Sequence, residues 1–244
     1  MSEAPLLLRW DDNVCRLTLN RPQQGNALSR DLLDALDAAL DDCAARPPAC
    51  LVIDGAGRHF CTGFDLSGLA DETGDSLLAR FTRIELLLQR VARAPYPTIA
   101  VAHGRTMGAG ADLFAACAVR IAVAGASFAF PGWRGFGLVL GSRRLAARIG
   151  TDRARDWIER ACVIADTEAL AAGLATARVE AAPATFTAPV ANALDGPLAG
   201  ALDGNAELDD ARDLAALVRS AACAGLQQRL TAYVNRQAEA RQAR

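Results

Sequence analysis

Two glycine-rich turns have the residue types and spacing that could stabilise a developing negative charge. The first turn joins the apolar run Cys50–Ile53 to Gly63 and Phe64, and the second joins Thr98–Ala102 to Gly108–Gly110. A helix that begins directly after such a turn leaves its first N–H groups without acceptors and carries partial positive charge there. Two facing turns would therefore place two N–H donors around one oxyanion. Taken singly, each turn is better explained by the backbone freedom of glycine, which permits a tight turn without any chemical role.

Asp112 is the acid that the sequence places beside these turns. It falls in the first turn of the helix predicted after Gly110. A carboxyl group there can transfer protons, but the helix dipole favours an acid at this position whatever its role. His103 is expected to support the second turn, and His59 lies beside the first turn, where a structural role and a place near a bound substrate are both open. Cys61 is flanked by apolar residues and is predicted to be a packed thiol.

The composition excludes several classes of function. Of the 244 residues, 52% are hydrophobic and 22% charged, which is typical of a folded protein with a large core. The sequence contains no lysine, which excludes a Schiff-base lysine and a phosphate-binding P-loop. With two histidines, a multi-histidine metal site is not expected, and a net charge of −2 argues against nucleic-acid binding. The second turn lacks the third glycine of a dinucleotide site, where Leu113 stands instead.

Cysteine usage and hydropathy predict the compartment. The seven cysteines are scattered without a C-x-x-C pair, which is typical of reduced thiols. The N-terminus lacks the features of a secretion signal, and the apolar runs are too short to span a bilayer. We therefore expect a soluble, cytoplasmic protein with no membrane partner.

The periodicity of apolar residues predicts the elements that must position the turns. Strands are predicted at 14–19, 50–53, 98–102, 119–123 and 127–130. Helices are predicted from Ser29 to about 43 and at 76–94, 111–117, 142–149, from 151, and at 167–172. Glu85 is predicted on the solvent face of its helix. After an Ala/Pro/Gly-rich segment, two helices at about 211–224 and 226–240 close an α/β chain.

Several motifs in order resemble the enoyl-CoA hydratase/isomerase (crotonase) superfamily. They are NRPQQGNAL at 20–28, FCTGFDL at 60–66, PTIAVAHG at 97–104 and GAGADL at 108–113, within a resemblance covering about residues 14–180. The resemblance implies a spiral of ββα repeats over residues 1–180 and a C-terminal helical region, 181–244, used for oligomerisation. It also implies a homotrimer or a dimer of trimers. The implied substrate is an acyl-CoA thioester, with no separate cofactor or metal because coenzyme A is part of the substrate.

The resemblance also assigns roles to individual residues. The thioester carbonyl would accept hydrogen bonds from the backbone N–H groups of Phe64 and Ala109, and Asp112 would be the acid/base. Substrate-binding positions would be Gly63, Gly108, Gly110, Arg21, Arg58, Trp133 and Arg134. The chemistry of the guanidinium group, and not the resemblance, makes Arg21 and Arg58 candidates to meet the phosphates of coenzyme A and Arg134 a candidate to meet a substrate carboxylate.

The sequence departs from the family pattern at one catalytic position. Hydratases of the family carry a second glutamate after a Phe-x-x-Pro strand, and here that position is Gly132. Hydration usually needs a positioned pair of acid and base. The expected activity is isomerase- or hydratase-like chemistry with one carboxylate. Decarboxylation, thioester hydrolysis and a non-catalytic acyl-CoA binder remain as alternatives.

Overall fold

The computed structural model describes residues 3–183 and 206–242. The strands are β1 (Leu6–Asp11), β2 (Val14–Leu19), β3 (Cys50–Gly55), β4 (Thr98–Ala102), β5 (Arg105–Met107), β6 (Val119–Val123), β7 (Ser127–Ala129), β8 (Ile164–Ala165) and β9 (Ala177–Val179). The helices are α1 (Arg30–Ala45), α2 (Gly74–Ala92), α3 (Ala109–Ala116), α4 (Gly132–Phe136), α5 (Ser142–Ile149), α6 (Thr151–Arg160), α7 (Asp166–Ala172), α8 (Ala206–Ala221) and α9 (Leu226–Gln242). The α/β class predicted from the sequence is confirmed.

Two sheets organise the chain. The larger has the order β1-β2-β3-β4-β6-β9, with β1 antiparallel to β2 and the other neighbours parallel. The smaller has the order β5-β7-β8, with β5 and β7 parallel. Cys61 extends the smaller sheet by a single bridge to Thr106. Three consecutive stretches of the chain therefore share one pattern. Each contributes a strand to the larger sheet, then a strand or a single bridging residue to the smaller sheet, and then a helix.

This ββα repetition brings the two glycine turns together. The first repeat runs through β3, Cys61 and α2, the second through β4, β5 and α3, and the third through β6, β7 and α4. Equivalent connections of successive repeats lie side by side because their strands are paired in register. The backbone N–H of Met107 donates to the carbonyl of Cys61 at 2.9 Å, which joins the turns directly.

The sequence prediction located most elements and missed a few. The predicted bounds of β2, β4, β6 and α5 coincide with those observed. β1 was not predicted because its residues do not alternate between apolar and polar. The single helical turn α4 was not predicted either. Its sequence, GWRGF, has two glycines and poor helix propensity, and Gly137 ends it in a left-handed conformation.

The C-terminal helices pack onto the same core as the sheets. Leu217 of α8 and Leu226 and Leu230 of α9 are buried among the core residues. The predicted boundary at residue 180 is followed by residues 184–205, which lie outside the described part of the chain. The oligomerisation role of 181–244 therefore stays a prediction. Within the described ranges, no helix is long and apolar enough to cross a membrane.

Candidate active site

A cleft opens where the two glycine turns meet α2, α4 and α9. It encloses about 630 Å³ including its open mouth. We call it the main cleft, and its apolar wall includes Phe64, Phe81, Phe136, Leu138 and Ile158. Asp112 is the one carboxyl group among the described residues that line it. An apolar cleft with few polar groups is the usual form of a small-molecule site.

The first turn presents the backbone N–H of Phe64 to this cleft. Gly63 adopts φ +96°, and a Cβ there would lie only 2.7 Å from the carbonyl oxygen of Met107. Leu28 accepts from the N–H of Asp65 and donates to the carbonyl of Gly63. In such a parallel pairing, the N–H of the intervening residue, Phe64, points away from Leu28. Glycine is therefore required at 63 for the approach of the two turns.

The second turn presents the N–H of Ala109. Gly108 has φ +51° and caps α3, whose first intrahelical bond runs from Asp112 N–H to the Gly108 carbonyl at 2.9 Å. Ala109 precedes that bond, so its N–H has no intrahelical acceptor. The position of a Cβ on Gly63 would be 3.3 Å from Ala109 N. Among the described residues, no backbone acceptor is recorded for either the Phe64 or the Ala109 N–H.

Gly110 allows the first turn of α3 to pack against Cys61. A Cβ at Gly110 would lie 2.4 Å from the Cys61 carbonyl oxygen, so only glycine fits. Cys61 itself is fully buried, and burial raises the pKa of its thiol to about 12. The prediction of a packed thiol is confirmed.

Asp112 is a buried acid whose Oδ1 has no hydrogen-bond partner among the described residues. Burial raises the pKa of this carboxyl well above its ordinary value, the nearby Arg144 opposes the rise, and Glu85 adds to it. The Cα of Gly141, at the start of α5, packs against the carboxyl group. Asp112 therefore lines the main cleft as a protonatable group without an ion-pair partner among the described residues.

Glu85 lies behind Asp112, and its predicted position on the solvent face of α2 is wrong. It is fully buried, and both of its carboxylate oxygens accept from Arg144, at 2.9 and 2.6 Å. Gln89 donates to Glu85 as well, and Arg144 also pairs with Asp213 of α8 at 3.0 Å. The prediction failed because the partner, Arg144, is distant in sequence and lies on α5.

The arginines predicted to bind coenzyme A lie outside the main cleft. Arg21 donates to the carbonyl of Ala27 at 2.6 Å and to Asp65 at 2.8 Å, so it braces the residue after Phe64. Burial acts to raise the pKa of Asp65, but hydrogen bonds from Ser67 and from Arg21 bring it below its ordinary value. Arg58 is exposed on the turn that precedes Cys61. Contact of either arginine with phosphates stays a prediction.

Two residues of α4 were also predicted to bind substrate. Trp133 lines the main cleft and is about half exposed, at 49%. Arg134 points out of the cleft into a neighbouring pocket, where it contacts the carbonyl of Glu159 at 3.4 Å. Gly132, at the position of the missing glutamate, lines the cleft. The structure therefore separates Arg134 from the other predicted site residues.

Three polar residues hold the first turn in place. Asn26 is fully buried and donates to the carbonyls of Ala56 and His59 at 2.9 and 2.7 Å. His59 accepts from the Arg105 N–H, and His103 contacts the Gly57 carbonyl at 3.0 Å. The pKa of His59 is lowered, first by burial and then by neighbouring cations. The expected supporting role of His103 is confirmed, and the contact of His59 with Arg105 is structural.

Sequence reasoning missed Tyr233, which α9 contributes to the main cleft. Its ring packs edge-on against Phe136 at 5.3 Å between centroids, and a Cβ on Gly135 would lie 2.9 Å from it. Burial raises the pKa of Tyr233, and nearby arginines oppose the rise. No local spacing could reveal this residue, because it reaches the site from the far end of the chain.

The arrangement suits stabilisation of an enolate. Two N–H groups without protein acceptors in the described chain meet at one end of an apolar cleft, and a buried carboxyl group stands beside them. A carbonyl oxygen placed between such donors gains most when it becomes negatively charged. A carbon next to that carbonyl would then lose or gain its proton through the carboxyl group.

Comparisons with known proteins find relatives of one kind. Residues 9–188 match the family model described as enoyl-CoA hydratase/isomerase. The crystal structure of "putative enoyl-CoA hydratase/isomerase" from Bordetella parapertussis has a TM-score of 0.84 and 40% identity, covering 95% of this chain and 99% of that one. A "Probable enoyl-CoA hydratase" of Bacillus subtilis is 34% identical over 174 residues, 68% of this chain and 66% of the relative. One from Mycobacterium tuberculosis is 37% identical over 125 residues, 51% and 49% of the two chains. The chain thus spans about half to two thirds of these curated relatives.

Proposed function

The chain belongs to the enoyl-CoA hydratase/isomerase family, and from this premise we propose that it is an enzyme acting on acyl-CoA thioesters. The proposed reaction is the shift of a double bond in an enoyl thioester through an enolate intermediate. The observation that carries the proposal is Asp112, the one carboxyl group among the described residues that line the main cleft, beside two backbone N–H groups for which no acceptor is found in the described chain.

In the proposed mechanism, the thioester carbonyl lies between the N–H groups of Phe64 and Ala109. Removal of a proton from the carbon chain moves negative charge onto the carbonyl oxygen. The two donors are held by the glycine turns before the reaction begins, so they stabilise this charge without reorganisation. Removing one such donor costs about 3–4 kcal/mol in other enzymes.

Asp112 would move the proton. As a carboxylate it takes a proton from the γ-carbon, and as a carboxylic acid it returns the proton to the α-carbon. The double bond thereby moves, and the acid ends in its starting state. One group is sufficient because no water molecule is added. Burial raises the pKa of Asp112, so its carboxylate is a stronger base than that of an exposed aspartate, which favours removal of a proton from carbon.

Gly132 is the observation that favours isomerisation over hydration. Addition of water needs one group to activate the water and another to protonate carbon. Among the described residues that line the main cleft, no second carboxyl group is available for that task. Decarboxylation or hydrolysis of the thioester would use the same donors and would release CO₂ or free coenzyme A.

The test is incubation of the protein in D₂O with matched 2-enoyl, 3-enoyl and malonyl-type CoA esters, followed by mass spectrometry. We expect a shifted double bond, with neither added water nor release of CO₂ or coenzyme A. Deuterium enters the acyl group in those turnovers in which the proton on Asp112 exchanges with D₂O before it is returned to carbon. Asp112→Asn is expected to lower kcat by about 10²–10⁴-fold.

Asp166→Asn is the matched control, because Asp166 is also an acid in the first turn of a helix, α7, but lies outside the main cleft. Turnover by Asp112→Asn equal to that of the wild type would overturn the mechanism. Return of every ester unlabelled and unchanged would instead favour a non-catalytic binder of acyl-CoA.

The assembly proposed with this function is a homotrimer or a dimer of trimers. Its support is the family membership, and the described C-terminal helices are compatible with it because much of α9 is exposed. Sedimentation of the purified protein tests it. A monomer at micromolar concentration would contradict the proposal.

A further inference from the structure

A second pocket adjoins the main cleft and is lined by positive charge. It encloses about 590 Å³ including its mouth. Three guanidinium groups reach it from separate helices, Arg134 from α4, Arg160 from α6 and Arg236 from α9. Tyr233 also lines it, and we call this site the arginine pocket.

Little negative charge balances these arginines. Arg160 pairs with Asp156, one helical turn earlier, at 3.4 Å. Within the described ranges, Arg134 and Arg236 donate to backbone carbonyls alone, Arg236 to that of Gly135 at 2.8 Å. No ion pair to Arg134 or Arg236 is found among the residues that the structure describes. Three guanidiniums around one hollow, with one carboxylate nearby, form a site suited to an anion.

A row of aromatic rings connects this pocket to the oxyanion donors. The ring of Phe64 stacks on Phe81 with 4.2 Å between centroids, Phe81 lies 6.2 Å from Phe136, and Phe136 lies 5.3 Å from Tyr233. All four rings line the main cleft, and Tyr233 together with Pro131 lines the arginine pocket as well. The arginine pocket therefore stands at the end of this ring row opposite to Phe64.

We infer that the arginine pocket binds an anionic group of the thioester substrate. A carboxylate at the end of the acyl chain fits this position, since a chain that starts at the Phe64 and Ala109 donors would follow the rings and end at the arginines. A phosphate of coenzyme A has the same chemistry. The inference rests on the proposed function, and it narrows the substrate from acyl-CoA thioesters in general to those whose anion reaches this pocket.

The experiment measures binding of unreactive, saturated acyl-CoA esters by titration calorimetry. The esters form pairs of equal chain length, with and without a terminal carboxylate, on CoA and on dephospho-CoA. We expect the wild type to bind the carboxylated ester about tenfold more tightly, the effect of one charge-assisted hydrogen bond. Arg236→Gln and Arg134→Gln should abolish this preference.

Arg155→Gln is the matched control, because Arg155 is an exposed arginine of α6 that does not line the arginine pocket. Loss of preference in Arg236→Gln but not in Arg155→Gln supports the acyl carboxylate. Equal weakening of both esters on CoA, absent on dephospho-CoA, supports the phosphate as the anion.

If the wild type binds the esters and both pocket variants bind every ester with the same affinity as the wild type, the inference is overturned but the proposed function is not. A wild type that neither binds nor converts any ester overturns the proposed function as well. The two failures are therefore distinguishable.

Discussion

Two buried acids, Glu85 and Asp112, lie close to each other but differ in their hydrogen-bond partners. Both carboxylate oxygens of Glu85 accept from Arg144, at 2.9 and 2.6 Å, and Gln89 adds a third bond at 2.9 Å. Asp112 has an Oδ1 without any partner in the described chain. Both residues are almost inaccessible to solvent. Burial alone therefore does not distinguish a structural acid from a candidate catalytic one.

The difference lies in what each acid is connected to. Through Arg144, Glu85 of α2 is linked to α5 and onward to Asp213 of α8, so the ion pair joins three helices. Asp112 lies near Arg144 but makes no ion pair with it or with any other described residue, and it lines a cleft. A buried polar atom without a partner costs stability, and such costs are concentrated at functional sites. The contrast can be tested by changing either acid or its surroundings.

The largest effect is expected from Glu85→Leu, which leaves Arg144 buried beside fewer charges. Removing one partner of a buried ion pair typically destabilises a protein by about 3–5 kcal/mol. Urea denaturation followed by circular dichroism would measure the change. The double variant Glu85→Leu/Arg144→Met should recover most of the loss, because it removes both charges.

A double variant no more stable than Glu85→Leu would show that the cost is not an unpaired guanidinium. The stability lost in Glu85→Leu would then be due to altered packing and not to the loss of an ion pair. Where Glu85→Leu proves too unstable to purify, the double variant still reports whether the pair is dispensable for folding.

The two acids also show how far the sequence predicts this molecule. The roles of Asp112, Phe64 and Ala109 were assigned from the family resemblance, whose motifs each lie within one strand-turn-helix unit, and these roles stay predictions. The family resemblance and the α/β class were predicted from the same segments and are confirmed.

Glu85 and Tyr233 could not be placed correctly, because their surroundings come from distant segments. A helix face that carries Glu85 appears solvent-exposed until α5 supplies Arg144 and α8 supplies Asp213. Tyr233 reaches the main cleft only because α9 folds back onto α4. Contacts of this kind depend on how helices dock, which local periodicity does not encode.

A smaller effect, about 3 kcal/mol, is expected from Gly141→Ala, which disturbs the surroundings of Asp112. Gly141 has φ +64°, a conformation that costs an L-residue about 1–2 kcal/mol. Its new Cβ would also lie 2.3 Å from Asp112 Oδ1 and displace the carboxyl group. Thermal denaturation measures stability, and kcat should fall with it.

Gly68→Ala is the matched control for this change. Gly68 has nearly the same backbone conformation, with φ +68°, but a Cβ there would meet nothing within 4 Å. It should lose only the backbone cost. Equal losses in the two variants would mean that Gly141 does not constrain Asp112.

A gain in stability on the order of 1 kcal/mol is expected from Asp112→Asn at neutral pH. Asparagine carries no charge to bury and takes up no proton on folding, and each unit of raised pKa corresponds to about 1.4 kcal/mol. The folded pKa of Asp112 is raised above the ordinary value of 3.8. Below that value both states hold the proton. As pH rises above it, the unfolded chain loses the proton first, so the wild type loses stability and the gain from asparagine grows.

Urea denaturation at a series of pH values measures the stability of each variant relative to the wild type. As pH rises, this difference should change in opposite directions for Asp166→Asn and Asp112→Asn. Burial acts to raise the pKa of Asp166, but Arg178 and backbone N–H groups bring it below the ordinary value. Asp166 therefore stabilises the fold above pH 3.8, and this contribution disappears as pH falls through its folded pKa. If the stability difference from the wild type changed with pH in the same direction for both variants, the assignment of Asp112 as the acid without a partner would be contradicted.

The smallest effect is expected from Arg83→Gln, two residues before Glu85 on the same helix. Arg83 pairs with Asp34 at 2.7 Å and Asp37 at 3.0 Å, but its side chain is 38% exposed. Exposed ion pairs contribute less than about 1 kcal/mol, and salt screens them. Urea denaturation at low salt and at about 1 M salt should show a small loss that vanishes at high salt, whereas the loss in Glu85→Leu should persist. If burial were irrelevant, Arg83→Gln would instead behave like Glu85→Leu. A loss of stability of that size, independent of salt, would show that the burial of an ion pair does not determine how much it contributes to stability. The comparison of the two acids depends on that distinction, because it treats a missing partner as costly only where water cannot replace it.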